Sequence, residues 1–575
     1  MRLTSRATIL GGLTSAALLA GVLASSGLVN ATSAHRRAAA KGGTLVFALP
    51  PQTQIPWYFP YTNASNASLY TAQLLNQMYM PLMYIGDNYK IDYADSLAQK
   101  ITYNKQGTVY HVFLNPKWKW SNGQPVTSAD AQFGWNVLIA TENPKAPAPW
   151  PNYSAGSGDL PQNAKSFQVN GKYEFTVTLK KPVNQEWFIY NGLNTLAVLP
   201  SSAWNKYPNN ITEEIKYLGQ NATKSTFDTV VDGPFELQSA TQGQQWVLVP
   251  NPDFAGHKST LSRIVFQYEA SDTSEFAGLK TGAVQVGYLP AADWAARNQL
   301  TNDRMIEQFG YNYFYTLVNM NNGAQGGVNK IFDNLYVRQA LYEAMDNAAI
   351  AKVIYHGQAV PQYGPIPPTP KTPFLDPRLT RPLYPYSPGN AKKILISHGW
   401  KEVNGVMTKG SQQMAFTMLY PSGDQAQTET AELLQADWAK IGVKVTLKPT
   451  QLVTEFGLVE KASAWQMATG IGIIYGGSYP SGESLFYKNQ GLDSFGWNNA
   501  EENKLVEATI TPAPSPAANT RNFFAYEYYT AKELPTLWMP DTATDAEVAK
   551  NVVGFNNQTA NPVTGFPLMN YWSIK

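Results

Sequence analysis

From Lys41 to about Tyr311 the apolar positions come in short runs broken by turn residues, the pattern of strands and hairpins with a few helices between them. Residues 108–114 mix aromatic and β-branched side chains after a Lys105-Gln106-Gly107 turn. Residues 167–169 and 173–179 flank Asn170-Gly171, a strong short hairpin signal, so the turn is expected there. Residues 235–238 and 245–249 bracket a second turn at Thr241-Gln242-Gly243. After Asn319 the period lengthens. Leu335, Val337, Leu341, Ala344, Met345 and Ala348 recur at helical spacing and predict one helix stopped by Gly357. Ser387 is a fitting N-cap with Pro388 at N1, Leu395 on the apolar stripe and Gly399 just past the end. Ala431, Leu434, Trp438 and Ile441 predict a helix that ends at Gly442 and feeds directly into the alternating residues 443–447, an α/β unit. Residues 361–388 are Pro-rich and read as an ordered extended connection, residues 512–516 as a short surface loop. No repeat of 20 to 50 residues is found.

At 575 residues the chain is long enough for several domains and a sizeable core. Charged residues are only 15%, against roughly 25% in ordinary soluble proteins, so uncharged polar groups must carry much of the surface. Aromatics reach 13%, with 33 Tyr and 15 Trp, an excess that leaves rings available to line a cleft. Cysteine is absent, which excludes disulfides, a Cys nucleophile and a lipid anchor attached through Cys. Arg2 and Arg6, an apolar run at 16–24 and small residues at Thr32, Ser33 and Ala34 have the layout of a signal peptide over residues 1–34. The protein is therefore expected outside the cytoplasm, in a periplasm or at the cell surface; an uncleaved N-terminal anchor is the competing reading. Removing residues 1–34 leaves 41 basic and 41 acidic residues, a neutral balance that argues against nucleic acid as a partner.

The familiar catalytic signatures are missing: there is no Gly-x-Ser-x-Gly elbow, P-loop, dinucleotide fingerprint or His-Glu-x-x-His. The five His, at 35, 111, 257, 356 and 398, are too dispersed for a local metal site, and His398 fits a helix C-terminus better. Glu501-Glu502 reads as the solvated first turn of a helix continuing through Leu505 and Val506. Nothing here calls for an enzyme or a cofactor, though a site assembled from distant segments stays open.

Four segments carry a resemblance. Trp118-Lys119-Trp120-Ser121-Asn122-Gly123-Gln124-Pro125-Val126-Thr127-Ser128-Ala129-Asp130 is similar to a Trp-Ser-x-Gly-x-Pro-Val-Thr-Ala-x-Asp segment, in which Asn122-Gly123 makes a turn and Thr127 with Asp130 caps the following helix. Asp232-Gly233-Pro234-Phe235, followed by Asn251-Pro252-Asp253-Phe254, resembles a Gly-Pro-Tyr hairpin and its end. Val337-Arg338-Gln339-Ala340 to Asp346 resembles a Val-Arg-Gln-Ala helix, with Asn347 where a basic residue is usual. Tyr386-Ser387-Pro388 to Gly399-Trp400, and then Ile441-Gly442-Val443-Lys444-Val445, complete the set together with Leu279-Lys280-Thr281-Gly282. In this order the segments are identified as those of extracytoplasmic solute-binding proteins of the peptide/nickel ABC importer family.

The resemblance implies an α/β, bilobed, periplasmic-binding-protein-like class II fold with an extra domain inserted near the N-terminus. Lobe I would comprise residues 41–85, 230–315 and 541–575, the inserted domain II residues 86–229, and the α/β lobe III residues 316–540. It also implies a monomer that encloses a small-molecule ligand between its lobes and delivers it to a membrane permease. Oligopeptide is the favoured ligand. A carboxylate in a Trp-x-x-Asp-Tyr type segment usually pairs with the ligand's ammonium in this family; here the nearest match is Tyr475-Gly476-Gly477-Ser478-Tyr479, so Ser478 stands at the acidic position. A hydroxyl cannot replace a charge-assisted bond. Either another acid, such as Asp493, supplies the charge, or the ligand has no amine there, as an oligosaccharide stacked on rings would not. Trp57, Tyr475, Tyr479 and Trp497 are the rings expected in the cleft, with Trp150 facing it from the inserted domain. Nickel or a chelate, and a secreted hydrolase reusing the fold, are the remaining alternatives.

Overall fold

Burial with a period of two builds the first sheet. On strand Gln245–Pro250, Trp246 and Leu248 are fully buried, and they sit opposite the equally buried Phe266 and Ile264 of strand Arg263–Tyr268. A computed structural model describes residues 42–575, apart from residues 52, 64, 228, 489 and 490 and the side chains of Val453, Asp493 and Ser494. The segment read as a signal peptide and the Asp493 carboxylate lie outside the described residues. The sheet runs in the order Asp303–Phe309, Asp541–Ala549, Val286–Tyr288, Thr44–Leu49, Arg263–Tyr268, Gln245–Pro250 and Phe235–Thr241, with Ala359–Val360 pairing beside Asp541–Ala549. Thr44–Leu49 lies parallel to Arg263–Tyr268, whereas Asp541–Ala549 is antiparallel to Asp303–Phe309 and to the short Val286–Tyr288, so segments distant in sequence are interleaved in one layer.

A second sheet of five strands has the order Lys444–Thr450, Ala415–Pro421, Met467–Ile474, Asn312–Val318 and Leu537–Trp538. Its edge is the expected α/β unit. Helix Gln425–Ala439 buries Ala431, Leu434 and Trp438, Gly442 turns the chain at φ +79°, and Lys444–Thr450 pairs parallel with Ala415–Pro421. A third, four-stranded sheet, Ala98–Tyr103, Val109–Leu114, Glu174–Leu179 and Ala164–Gly171, comes from one continuous stretch of chain. Helix Ser128–Thr141 stands beside it, and its first turn is fixed by Asp130, which accepts from the Thr127 N–H at 2.8 Å and from the Ser201 N–H and hydroxyl at 2.9 and 2.7 Å.

Two local expectations change. The hairpin turn falls at Lys172-Tyr173, because the strand continues through Asn170 and Gly171 with an irregularity in register, and Asn170 donates across the ladder to Thr176 at 2.6 Å. The helix expected from Leu335 to Ala348 stops at Glu343; the Asp346 carboxylate then accepts from the Ala349 N–H at 2.8 Å and begins a separate turn, Asn347–Ala349, which runs into a π-helical segment, Ile350–Ile354. Pro388–Ser397 keeps the predicted form, with the Ser387 side chain capping and Gly399 at φ +88°.

Candidate functional site

Strand Asn312–Val318 begins with the sequence Tyr311-Asn312-Tyr313-Phe314-Tyr315, whose alternation places three Tyr on one face. All three are buried. Strand Met467–Ile474 pairs with it and delivers Tyr475 beside them: the Tyr475 N–H donates to the Tyr311 carbonyl at 2.9 Å, and the ring centroids of Tyr311 and Tyr313 lie 5.2 and 5.6 Å from that of Tyr475. The chain then reverses through Gly476-Gly477, the Ser478 N–H closing on the Tyr475 carbonyl at 3.0 Å. Gly477 approaches Ile85 so closely that a Cβ would stand 2.8 Å from the Ile85 side chain, so only glycine fits this crossing.

The turn meets residues of the 86–229 stretch directly. The Tyr89 hydroxyl donates to the Ser478 carbonyl, and the Tyr89 ring contacts Tyr311 edge-on at 5.4 Å and stacks on Tyr190 at 5.4 Å. Helix Gln185–Asn191 ends against Tyr479, where the Asn191 carboxamide accepts from the Tyr479 N–H at 2.8 Å and donates to the Tyr479 carbonyl at 3.1 Å. At its start, Asn184 caps the helix and donates to the Thr509 carbonyl at 2.7 Å and to the Asn519 side chain at 2.9 Å, while the Trp187 indole donates to Glu483 at 3.0 Å. Phe374 and Phe523 close over the Tyr479 ring at 5.1 and 5.6 Å. The result is a belt of rings along a seam, with main-chain groups of residues 478 and 479 presented across it.

Behind the belt the polar atoms are unevenly matched. The Tyr475 hydroxyl donates to the Pro365 carbonyl at 2.8 Å. The hydroxyls of Tyr313 and Tyr526 approach Tyr475 and that of Tyr311 approaches Thr372, yet none of the three reaches hydrogen-bonding geometry. Burial pushes each of these phenols far above its ordinary range. Glu527, fully buried on helix Pro516–Glu533, accepts from the Asp376 N–H at 2.7 Å through one oxygen, and its other oxygen has no partner. Its carboxyl is held well above the usual range, first by burial and then by Asp376, with Arg378 opposing.

The residues expected from the sequence divide into three places. Tyr475, Ser478 and Tyr479 meet at the seam. Trp57 and Trp150 face one another edge-on at 6.0 Å, and both indole N–H groups are taken by backbone, Tyr61 and Ile215 respectively. Trp497 donates to Glu502 at 2.9 Å and has the Arg338 guanidinium 5.3 Å from its ring. That contact overturns the solvated reading of Glu502. Glu502 is fully buried between Trp497 and Thr530 and pushed up to about 8 by burial, whereas Glu501 is exposed and pairs with Lys504. Tyr89, Asn191, Tyr311, Tyr313, Tyr526 and Glu527 were not singled out in the sequence; the alternation from Tyr311 to Tyr315 was the available signal for two of them.

The profile of the bacterial extracellular solute-binding proteins, family 5, matches residues 92–494. The chain belongs to that family. Among curated relatives it is 25% identical over 425 residues, 73% of each chain, to the oligopeptide-binding protein AppA of Bacillus subtilis, and 31% identical over 213 residues, 37% of this chain and 36% of the relative, to heme-binding protein A of Haemophilus influenzae. Its fold matches the structure of B. subtilis AppA in complex with a nonapeptide, with TM-score 0.72, 20% identity, and 93% of this chain and 99% of that one covered. It also matches NikA of Brucella suis in complex with Fe(III)-EDTA, with TM-score 0.74, 15% identity, and 92% and 100% covered. The solute-binding family thus has the bilobed class II architecture expected from the sequence. Proteins of this family are solute-binding components of ABC importers rather than enzymes. Among the described residues no helix is long and apolar enough to cross a membrane, and no group of three or more His, Asp or Glu is placed to hold a metal ion.

Proposed function

We propose that this solute-binding protein captures oligopeptides between lobe I (residues 41–85, 230–315 and 541–575, with residues 86–229 inserted) and lobe III (residues 316–540), and hands them to a membrane permease. The observation that carries this reading is the pairing at Tyr479. An amide side chain from one side of the seam satisfies both the N–H and the C=O of a residue on the other, which is how one peptide unit recognises another. The same main-chain groups, with the Ser478 carbonyl, are suited to an extended peptide once the lobes part. Closure then follows from differential affinity, because a ligand touching both walls stabilises the shut form over the open one. Relatives named for oligopeptide binding support the same ligand.

An oligosaccharide is the second reading, favoured by the belt of Tyr89, Tyr311, Tyr475 and Tyr479 rings, since sugars stack on aromatic faces. The test is native mass spectrometry of protein purified from its own host, followed by denaturation to release its cargo. Masses that fragment into amino-acid ladders are expected. Hexose or pentose ladders would transfer the site to sugars.

A further inference from the structure

We propose that the Tyr89 side chain is an internal competitor for the ligand: in the shut protein it fills a box at the seam that takes an aromatic side chain of the bound peptide. The proposal rests on the peptide reading above and names the kind of residue the site selects. The box is outlined by its present occupant. The Tyr89 ring stacks on Tyr190 at 5.4 Å and meets Tyr311 and Phe374 edge-on at 5.4 and 4.9 Å, distances at which aromatic pairs attract. Its hydroxyl donates to the Ser478 carbonyl, one of the main-chain groups suited to an extended peptide. Tyr190 approaches from the lobe I side, Phe374 and Ser478 from the lobe III side, so the ring is clasped between the two walls.

The backbone shows that this ring is held in place rather than at rest. Tyr89 lies in the turn between the paired strands Tyr84–Ile85 and Ile91–Asp92, with φ +61°, a left-handed conformation that bulky side chains rarely adopt. The turn itself has no need of a ring. The Gly86 N–H donates to the Lys90 carbonyl at 2.8 Å, the Tyr89 N–H to the Gly86 carbonyl at 3.0 Å and the Lys90 N–H to the Asn88 side chain at 3.0 Å, all bonds that a glycine at position 89 would keep. Strain of this kind persists only where surrounding contacts over-determine it, and here those contacts are the box. Asn88 and Lys90, on either side of the buried Tyr89, are exposed. The ring thus turns inward from a surface hairpin, one residue from solvent, and parting the walls releases it. A ligand ring that takes its place keeps the three ring contacts without the strained turn, and a peptide N–H beside it inherits the Ser478 carbonyl. A peptide without an aromatic residue gains the second and not the first. Either way, apparent affinity falls with the fraction of molecules in which Tyr89 is seated.

The experiment offers ligand-stripped wild type, Y89F and Y89G one tryptic digest of casein over a range of concentrations and identifies captured peptides by mass spectrometry. The wild type, in a readout that needs no variant, should enrich peptides containing Tyr, Phe or Trp by about fivefold over their share of the digest, the weight of one or two ring contacts. Y89G suits the left-handed turn and empties the box. It should capture the same aromatic class at about tenfold lower peptide concentration, the shift expected where Tyr89 is seated in about nine-tenths of the wild-type molecules. Y89F keeps the ring and loses only the hydroxyl, so it should stay within about threefold of the wild type. A Y89F effect equal to that of Y89G would place the competition in the hydroxyl and overturn the aromatic box. Absence of aromatic enrichment by the wild type, or capture by Y89G that is no tighter than the wild type's or is indifferent to aromatic content, would make Tyr89 a fixed wall of the site and leave peptide binding intact. Capture of no peptide by the wild type or by Y89G would overturn the peptide reading and this proposal with it.

Discussion

Gly482 shows how narrowly single residues fix the belt. Its φ of +78° lies in the left-handed region, and a Cβ there would stand 2.3 Å from Tyr526 Cζ and 2.4 Å from its hydroxyl. G482A should therefore cost on the order of 1–3 kcal/mol from two sources, backbone strain and displacement of the Tyr526 ring. Combining it with Y526L separates them. The packing share should be relieved and the strain share kept, so urea denaturation of the double variant should show less destabilisation than the two single changes added together; strict additivity would mean that the ring is not in the way. The carboxylates at 501 and 502 carry a related lesson. Adjacent residues on a helix are separated by about 100°, and Glu502 shares a face with the buried Val506 and Thr509 while Glu501 looks outward. The helical spacing from 502 to 506 was legible, but the acidic pair outweighed it.

At the scale of elements, helix Gln185–Asn191 acts as a clasp. Its N-cap, its central indole and its last residue each bond to the 478–519 region. With each hydrogen bond worth about 1 kcal/mol net, the set is large enough to bias a hinge whose two states differ by a few kcal/mol. N191A combined with W187F should shift the population toward the open form, read as a larger radius of gyration by small-angle scattering of ligand-stripped protein. An unchanged radius would show that closure is set elsewhere. Elements like this were only half legible. Caps, hairpins and the α/β unit at Gly442 could be read because their determinants lie within a few residues of one another, as with Asp130 and Thr127 or Ser387 and Pro388. Asn191 and Tyr479 are 288 positions apart, and nothing local to either says that they meet. The indole N–H groups of Trp57 and Trp150 differ in the same way: that of Trp57 is taken by the Tyr61 carbonyl four residues on, that of Trp150 by the Ile215 carbonyl 65 residues on. What could be carried across such distances was the family resemblance, which fixes the order of the segments but not the chemistry between the lobes.

For the molecule as a whole the telling feature is the number of acids buried without a base. Glu142, Asp232, Glu275, Glu455, Glu483 and Asp541 are pushed up to about 8 and Asp545 and Glu547 to about 7, in each case chiefly by burial, and no basic group opposes the shift. Several are also neighbours. Asp545 pairs in register with Glu307, and Glu547 lies between Asp545 and Asp303 on one face of the large sheet, where Asp303 is itself raised to about 6. Each group binds its proton more tightly in the folded chain than in the unfolded one, whose carboxyls titrate near 4. Between pH 4 and pH 8 the native state therefore holds more protons, and the free energy of unfolding must fall as the pH rises. The contribution is complete below the unfolded value and is lost progressively as the folded values are passed. The opposite slope, from salt-bridged carboxylates depressed in the folded state, has little to draw on, since the ion pairs of the described residues have substantially exposed cations. Thermal unfolding should accordingly be higher at pH 5 than at pH 8, with the steepest loss between about pH 5 and 7, where the unfolded carboxyls are ionised and the folded ones still hold their protons. Replacing Asp545 and Glu547 by Asn and Gln should flatten that part of the curve while leaving the melting temperature at pH 5 nearly unchanged. A melting temperature that climbs from pH 5 to pH 8 would mean that these carboxyls are ionised in the native state and find cations in solution that the fold does not supply.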